Sequence, residues 1–146
     1  MTSFEVGTIE QLTAAVDAMS NEQLSEAVRS QEGGSDRVLD QVFEGMRQAF
    51  DPAKAAGQEA VVQYEIATPD GPRGYVMRVA DGQCRIERGS ADSPRVTIRI
   101  GLADFLRLVA GRLNGMQAFM SGKLKVSGDL FFAQTYQAWF TRPAAS

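Results

Sequence analysis

The alternation of apolar and polar residues in Ala60-Val-Val-Gln-Tyr-Glu-Ile-Ala67 predicts a β-strand with two unlike faces. Its even-numbered side chains, Val62, Tyr64 and Ile66, are apolar, whereas Gln63 and Glu65 between them are polar. A strand of this kind belongs to a sheet with one wet face and one face covered by other elements. The rest of the chain can be assigned outward from this strand.

Three more strands follow before residue 101, and turn sequences separate them. Thr68-Pro-Asp-Gly-Pro72 is rich in turn residues, and Asp81-Gly82 is a strong two-residue hairpin signal. The strands themselves keep the same alternation. They are Gly74 to Ala80, with Tyr75, Met77 and Val79 on one face, then the segment around Cys84 and Ile86, then Val96 to Ile100.

The first third of the chain has helical periodicity. Thr8-Ile-Glu-Gln11 and Ser20-Asn-Glu-Gln23 have the form of capping boxes and predict two short helices. Gly33-Gly34 ends the second helix, and Ser35 is expected to cap a third. The third helix carries the strongest apolar stripe, which comprises Val38, Leu39, Val42, Phe43, Met46 and Phe50.

The last third returns to helical spacing. Leu102 to Val109 and Asn114 to Met120 predict two helices, and Leu124 and Val126 alternate with Lys123 and Lys125 in a short fifth strand. Asp129 is expected to be the N-cap of a final helix, Leu130 to Phe140, which is apolar on most sides. Such a helix must be buried or must face something other than water.

This order of elements indicates an α+β fold in which helices cover one face of a mostly antiparallel, five-stranded sheet. The length of 146 residues suits one main domain. Because Gly33-Gly34 interrupts the helical region, residues 1–34 are interpreted as a semi-independent helical extension and residues 35–146 as the main domain. The extension is expected to pack over the sheet or the last helix, or to mediate dimerisation.

Composition excludes several classes of function. The chain has no histidine, which rules out histidine-based acid–base catalysis and imidazole metal sites. Cys84 is the single cysteine and is interpreted as a small core residue, since no histidine could activate it. The net charge of −3 argues against nucleic-acid binding. Without a recognisable targeting segment or membrane span, a cytoplasmic location is expected.

Large flexible or aromatic side chains are concentrated in the last third of the chain. Most such clusters are simply core, but methionine and phenylalanine also line apolar cavities that adapt to their contents. The cluster comprises Phe105, Leu108, Met116, Phe119, Met120, Phe131, Phe132, Tyr136, Trp139 and Phe140.

Two linked segments resemble a known signature. Asp104-Phe-Leu-Arg-Leu-Val-Ala-Gly111 and Asn114-Gly-Met-Gln-Ala-Phe-Met-Ser-Gly-Lys-Leu-Lys-Val-Ser-Gly-Asp129 resemble the sterol carrier protein 2 (SCP2) family of lipid-transfer domains. The resemblance extends back to a helix beginning near Asp36, and the first 34 residues resemble an extension of some bacterial single-domain members. One departure is Gly115, where many members have proline.

The resemblance implies an apolar tunnel between sheet and helices, closed by the C-terminal helix as a lid. It implies noncatalytic binding and transfer of fatty acids, fatty acyl-CoA and sterols, with no cofactor and no metal. The expected ligand-binding residues are Tyr75, Met77, Phe105, Leu106, Val109, Met116, Phe119, Met120, Phe131, Phe132, Tyr136, Trp139 and Phe140.

Two alternatives stay open from the residues. In the first, the chain is an interaction module whose tunnel is filled by its own bulky side chains. In the second, it is an enzyme or an enzyme-accessory subunit of lipid or steroid metabolism that hands its substrate to a partner. The expected partners are a lipid or acyl-CoA ligand, with no nucleic acid, no membrane span, transient membrane contact at most, and a monomer or homodimer.

Overall fold

The computed structural model describes residues 9–30, 33–113, 115–137 and 139. In this part of the chain, four helices precede four strands, and two helices, a fifth strand and a seventh helix follow. The helices are α1 Ile9–Ala18, α2 Asn21–Ser30, α3 Gly34–Ala49, α4 Pro52–Ala55, α5 Leu102–Val109, α6 Gly115–Met120 and α7 Leu130–Gln137. The strands are β1 Ala60–Thr68, β2 Gly71–Ala80, β3 Gln83–Arg88, β4 Val96–Gly101 and β5 Leu124–Gly128.

The five strands form one sheet in the order β3-β2-β1-β4-β5. Neighbouring strands are antiparallel except for the central pair β1 and β4, which is parallel. In register, Tyr64 lies opposite Tyr75 on one side and Ile98 on the other, and Ile98 lies opposite Val126. The predicted α+β class with a mostly antiparallel five-stranded sheet is confirmed.

The apolar face of the sheet packs against helices. The ring of Tyr64 lies 5.1 Å from that of Phe43 on α3 and 6.0 Å from that of Phe105 on α5, centroid to centroid. The apolar stripe predicted for α3 is the stripe that is buried there, with Val38, Leu39, Val42 and Phe43 in the core. Burial of these side chains, rather than helical propensity alone, therefore holds the helices on this face.

The opposite face is less wet than its alternation predicts. Gln63 is buried, because the loop after β3 folds over it. Its amide nitrogen donates to the carbonyl oxygen of Gly89 at 3.0 Å, and its amide oxygen accepts from the backbone nitrogen of Ala91 at 2.7 Å. The expectation that the whole polar face is wet is wrong at this position, where the loop satisfies a buried amide.

Two helix starts show how far capping can be predicted. At α2, Ser20 and Gln23 form the predicted capping box: the Ser20 amide donates to Gln23 Oε1 at 2.8 Å and the Gln23 amide to Ser20 Oγ at 3.2 Å. At α3, the expectation that Ser35 caps the helix is wrong. Ser35 is buried inside the first turn, and its amide and hydroxyl both donate to Asp70 Oδ2, at 3.1 and 2.9 Å. Thr8 lies outside the described residues.

Helices α1 and α2 pack against α5. The guanidinium of Arg107 donates to the backbone oxygens of Val16 and Met19 at 2.7 and 2.6 Å, which satisfies carbonyls at the end of α1. Arg112 pairs with Asp17 at 2.9 Å. Among the described residues, no helix is long and apolar enough to cross a membrane.

Candidate functional site

A groove of about 890 Å³ lies between α3 and the edge strand β3. Helix α3, the start of α4, the β2–β3 turn and β3 all contribute to its walls. Its volume falls within the range of small-molecule sites, roughly 300–1,000 Å³. The lining residues are Asp40, Phe43, Glu44, Arg47, Phe50, Pro52, Tyr75, Gly82, Gln83, Cys84, Arg85, Ile86, Glu87 and Arg88.

The floor of the groove is apolar because β3 and α3 both supply apolar side chains to it. In β3, Cys84 and Ile86 alternate onto the helix side, opposite Val79 and Met77 of β2. Phe43 of α3 and Phe50, the residue that follows the last helical residue with an extended backbone, both line the groove from the helix side. Burial raises the pKa of the Cys84 thiol to about 11, so this cysteine is an apolar part of the floor rather than a nucleophile.

The rim of the groove is charged but nearly balanced. Arg88 pairs with Asp40, and Arg47 donates to Glu44 at 2.7 Å, which lowers the pKa of the Glu44 carboxyl. The hydroxyl of Tyr75 donates to Asp40 Oδ1 at 2.8 Å, and its pKa is raised, first by burial and then by this carboxylate. Paired charges of this kind leave little net field over the opening.

An aromatic layer lies below the groove. The ring of Phe43 stacks on Tyr75, with centroids 4.5 Å apart, and contacts Phe105 at 5.2 Å. On the other side of Tyr64, the hydroxyls of Tyr64 and Tyr136 lie 2.8 Å apart, and the Tyr136 hydroxyl also contacts Met77 Sδ at 2.6 Å. Complete burial raises the pKa of Tyr136 well above its ordinary value.

Helix α7 packs against this aromatic layer on the Tyr136 side. Asp129 is its N-cap as predicted, since Oδ1 accepts from the Phe132 amide at 2.9 Å. Phe132 packs against Tyr136 and Trp139, with ring centroids 5.8 and 5.4 Å away. The Trp139 carbonyl accepts from the Asp51 amide at 2.6 Å, so the end of this segment reaches the start of α4 beside the groove.

The described residues can be assessed for metal binding and for proton transfer. They contain no cluster of three or more carboxylate or thiol side chains that could hold a metal ion. The hydroxyl of Tyr75, which lines the groove, donates to Asp40 and its pKa is raised, so this tyrosine keeps its proton near neutral pH and is unsuited to be a general base.

The sequence profile of the SCP-2 sterol transfer family matches residues 39–141. The chain belongs to this family. Membership supports lipid binding or transfer in general terms, and the matched region contains the groove, the aromatic layer and α7.

Three proteins illustrate the relationship. The chain is 32% identical over 103 residues to Stomatin-like protein 1 of Mus musculus, covering 66% of this chain and 26% of that protein. It is 35% identical over 72 residues to Sterol carrier protein 2 of Homo sapiens, covering 47% of this chain and 13% of that protein. The chain thus spans about a quarter or less of these two relatives.

The third protein has a solved structure of similar size. The crystal structure of Sterol Carrier Protein 2 Like 2 from Aedes aegypti superposes with a TM-score of 0.61 at 25% identity, covering 72% of this chain and 98% of that chain. A solution structure of the palmitated form of the same protein superposes with a TM-score of 0.56 at 26% identity, covering 66% and 88%. Nearly all of the Aedes chain in the crystal structure therefore superposes on this chain.

The residues expected to bind ligand in this SCP-2 family member fall into three groups. Seven are buried between sheet and helices, Val109 is half-buried, and four are exposed; Phe140 lies outside the described residues. The buried ones are Tyr75, Met77, Phe105, Leu106, Phe132, Tyr136 and Trp139; the exposed ones are Met116, Phe119, Met120 and Phe131.

Tyr75 is the member of the expected set that lines the groove. Phe43, Phe50 and Ile86 line it as well, although sequence reasoning placed them only in a helix stripe and a strand. The sequence feature that could have indicated the groove is the apolar stripe of α3. It continues to Phe50, beyond the residues of the helix that are buried against the sheet. A stripe of that length indicates a helix with apolar surface left over beyond its packed part.

Proposed function

We propose that this SCP-2 family member binds and transfers single-chain or sterol-like lipids in the groove between α3 and β3, and that it catalyses no reaction on them. The observation that carries the proposal is the apolar floor formed by Phe43, Tyr75, Cys84 and Ile86 inside a groove of about 890 Å³. Family membership supplies the class of ligand. Palmitate is a suitable test ligand because the Aedes relative is described in a palmitated form.

Burial of apolar surface is sufficient for useful affinity. Each buried methylene contributes about 0.8 kcal/mol, so a chain of ~15 methylenes gains roughly 12 kcal/mol before association costs. Those costs are about 4–15 kcal/mol, and a partly preformed groove lies toward the lower end of that range. A charged anchor is therefore unnecessary for micromolar binding.

The balanced rim predicts weak selectivity for the head group. Asp40, Glu44 and Glu87 oppose Arg47, Arg85 and Arg88 around the opening. Burial of a chain is also nondirectional, and a hydrophobic site distinguishes homologous chains by only ~1–3 kcal/mol for each methylene. Fatty acids, fatty acyl-CoA and sterols are accordingly all proposed ligands, ranked by buried apolar area more than by charge.

The experiment has two steps. Native mass spectrometry of the protein as purified reports copurified lipid, and delipidated protein is then titrated with a fluorescent fatty acid. The test variant is Ile86→Trp, which places an indole in the groove. Its matched control is Ile98→Trp, because Ile98 is also a half-buried isoleucine on the same face of the sheet but does not line the groove.

The expected result is at least a tenfold loss of fatty-acid affinity for Ile86→Trp and little change for Ile98→Trp, with both variants folded by circular dichroism. Loss of binding in the control alone would move the ligand to the β4–β5 side of the molecule. No uptake by the unaltered delipidated protein would contradict lipid binding itself.

A second candidate function is favoured by the aromatic layer. The rings of Phe43, Tyr64, Phe105, Tyr136 and Trp139 pack against one another where the tunnel is expected. A protein-interaction or enzyme-accessory module of the same fold, filled by its own side chains, fits this packing. A clean apo mass together with a stable protein partner is the outcome that selects it.

A further inference from the structure

The exposed large apolar side chains of the described residues are confined to α6 and α7. Met120 and Phe131 are the most exposed of these side chains, at 80% and 87%. These side chains are remote in the structure from the lining of the α3–β3 groove, which includes none of them. We call this set the α6/α7 patch: Met116, Phe119, Met120, Leu130 and Phe131.

The two helices of the patch flank one edge of the sheet. β5 is the last strand in the sheet order, α6 leads into its first residue, and α7 follows its last residue after Asp129. A strand of five residues is about 16 Å long at the usual rise per residue. The patch therefore borders both ends of the edge strand β5.

Charge on this edge is positive although the whole chain has a net charge of −3. Lys123 and Lys125 lie between the two helices, are exposed, and have no ion pair with any described residue. The only carboxylate from Gly115 to Trp139 is Asp129, and it is paired with Arg95 at 3.2 Å and accepts from the start of α7.

Elsewhere the described arginines are largely neutralised. Arg47, Arg73, Arg88, Arg99 and Arg112 each pair with a carboxylate. Lys54 is likewise exposed and without an ion pair to a described residue, so what distinguishes Lys123 and Lys125 is that they stand beside exposed phenylalanine and methionine side chains. Apolar side chains that enter a bilayer interface, with lysines beside them at the level of the lipid phosphates, form a typical membrane-contact surface.

We propose that the α6/α7 patch, together with Lys123 and Lys125, docks the protein onto anionic phospholipid membranes. Met120 and Phe131 insert into the interfacial layer at the two ends of β5, and the lysines contact the anionic head groups. Contact is reversible, because a few apolar side chains and two charges supply far less free energy than a spanning helix. This docking surface is separate from the ligand groove.

The test is cosedimentation of the full chain with vesicles of phosphatidylcholine, alone or mixed with phosphatidylserine. The apolar variant is Met120→Ser with Phe131→Ser, and the charge variant is Lys123→Gln with Lys125→Gln. Lys54→Gln is the matched control, since Lys54 is an exposed lysine of α4 without an ion pair to any described residue.

We expect binding to the mixed vesicles to be stronger and to fall with added salt. The charge variant loses about fivefold for each lysine on the mixed vesicles only. The apolar variant loses roughly tenfold or more on vesicles of either composition. The control binds like the unaltered chain to both vesicle compositions.

Equal binding to both vesicle compositions, or binding that both variants retain, overturns the proposal. A different result would also overturn it: a dimer in solution that Phe131→Ser converts to a monomer, without vesicle binding, would assign the patch to a second copy of the chain. Retained vesicle binding by the apolar variant alone would show that the exposed rings do not enter the membrane.

Discussion

The hydroxyl oxygens of Tyr64 and Tyr136 lie 2.8 Å apart in the buried centre of the molecule and join the middle strand of the sheet to its last helix. The two residues are 72 positions apart in the chain. Their contact therefore places one polar interaction between the mostly apolar surfaces of the sheet and α7. A hydrogen bond in such surroundings is worth more when made, and costs more when broken, than one at the surface.

Replacing Tyr136 by phenylalanine is expected to lower the free energy of unfolding by about 1–2 kcal/mol, because it removes one partner of a buried hydrogen bond. Denaturant titration measures the loss. Tyr64→Phe should cost a similar amount, and the double variant less than the sum of the two, since the second change removes a group already deprived of its partner. Strict additivity would show that the two hydroxyls do not interact in solution.

Phe131 and Phe132 are neighbours with opposite environments. Phe132 is 3% exposed, whereas Phe131 is 87% exposed. Phe132→Ala should cost about 3–5 kcal/mol through the cavity that it leaves. Phe131→Ala should change stability by no more than about 0.5 kcal/mol. Thermal unfolding of the two variants side by side checks this, and comparable losses would mean that α7 is rotated from the orientation described.

Asp70 makes the start of α3 sensitive to acid. The hydrogen bonds from Ser35 lower the pKa of Asp70 below its ordinary value of 3.8. A carboxyl whose pKa is lower in the folded state stabilises the fold above its unfolded pKa, and this contribution disappears as the pH falls through the folded pKa. Asp70→Asn should therefore be less stable than the unaltered chain near neutral pH, and the gap should narrow below pH 3.8. A gap that does not change with pH would contradict the role of the charge.

Replacement by alanine should have opposite effects on stability at Gly128 and Gly45, because the backbone and its surroundings exclude a Cβ at the first position and admit one at the second. At Gly128, φ is +100° and an added Cβ would lie 2.5 Å from the carbonyl oxygen of Arg95. Gly128→Ala should cost about 2 kcal/mol or more. At Gly45, inside α3, an added Cβ meets nothing within 4 Å, so Gly45→Ala should stabilise by about 0.5–1 kcal/mol. Chemical denaturation would detect both changes, and a harmless Gly128→Ala would refute the tight approach of β5 to Arg95.

Much of the fold follows from local pattern. The strand around Tyr64, the hairpin at Asp81-Gly82, the capping box at Ser20 and the N-cap at Asp129 are all where periodicity and turn chemistry predict them. Each depends on residues within a few positions of one another, which is why one sequence suffices for them.

The failures are contacts between distant segments. The alternation in β1 predicts that Gln63 is exposed to solvent, but the loop at Gly89, 26 positions away, covers it. Serine is a common N-cap residue, but the amide and hydroxyl of Ser35 donate instead to the carboxylate of Asp70, which lies 35 positions away in the chain. The groove between α3 and β3 depends likewise on the separation between a helix and an edge strand. Periodicity predicts which sides of both are apolar, but it carries no information about the gap between them.

The position of β1 also affects the order in which the sheet can form. Its antiparallel partner β2 follows after a two-residue turn, but its parallel partner β4 begins 28 residues after β1 ends. Closing the longer loop is slower, so the meander from β1 to β3 should form first and leave one edge of β1 unpaired. During synthesis the unpaired backbone groups of that edge are a site for association with other chains until β4 emerges and pairs with them. Pulse-labelled hydrogen exchange should accordingly find amides of the β1–β2 hairpin protected before those of β4.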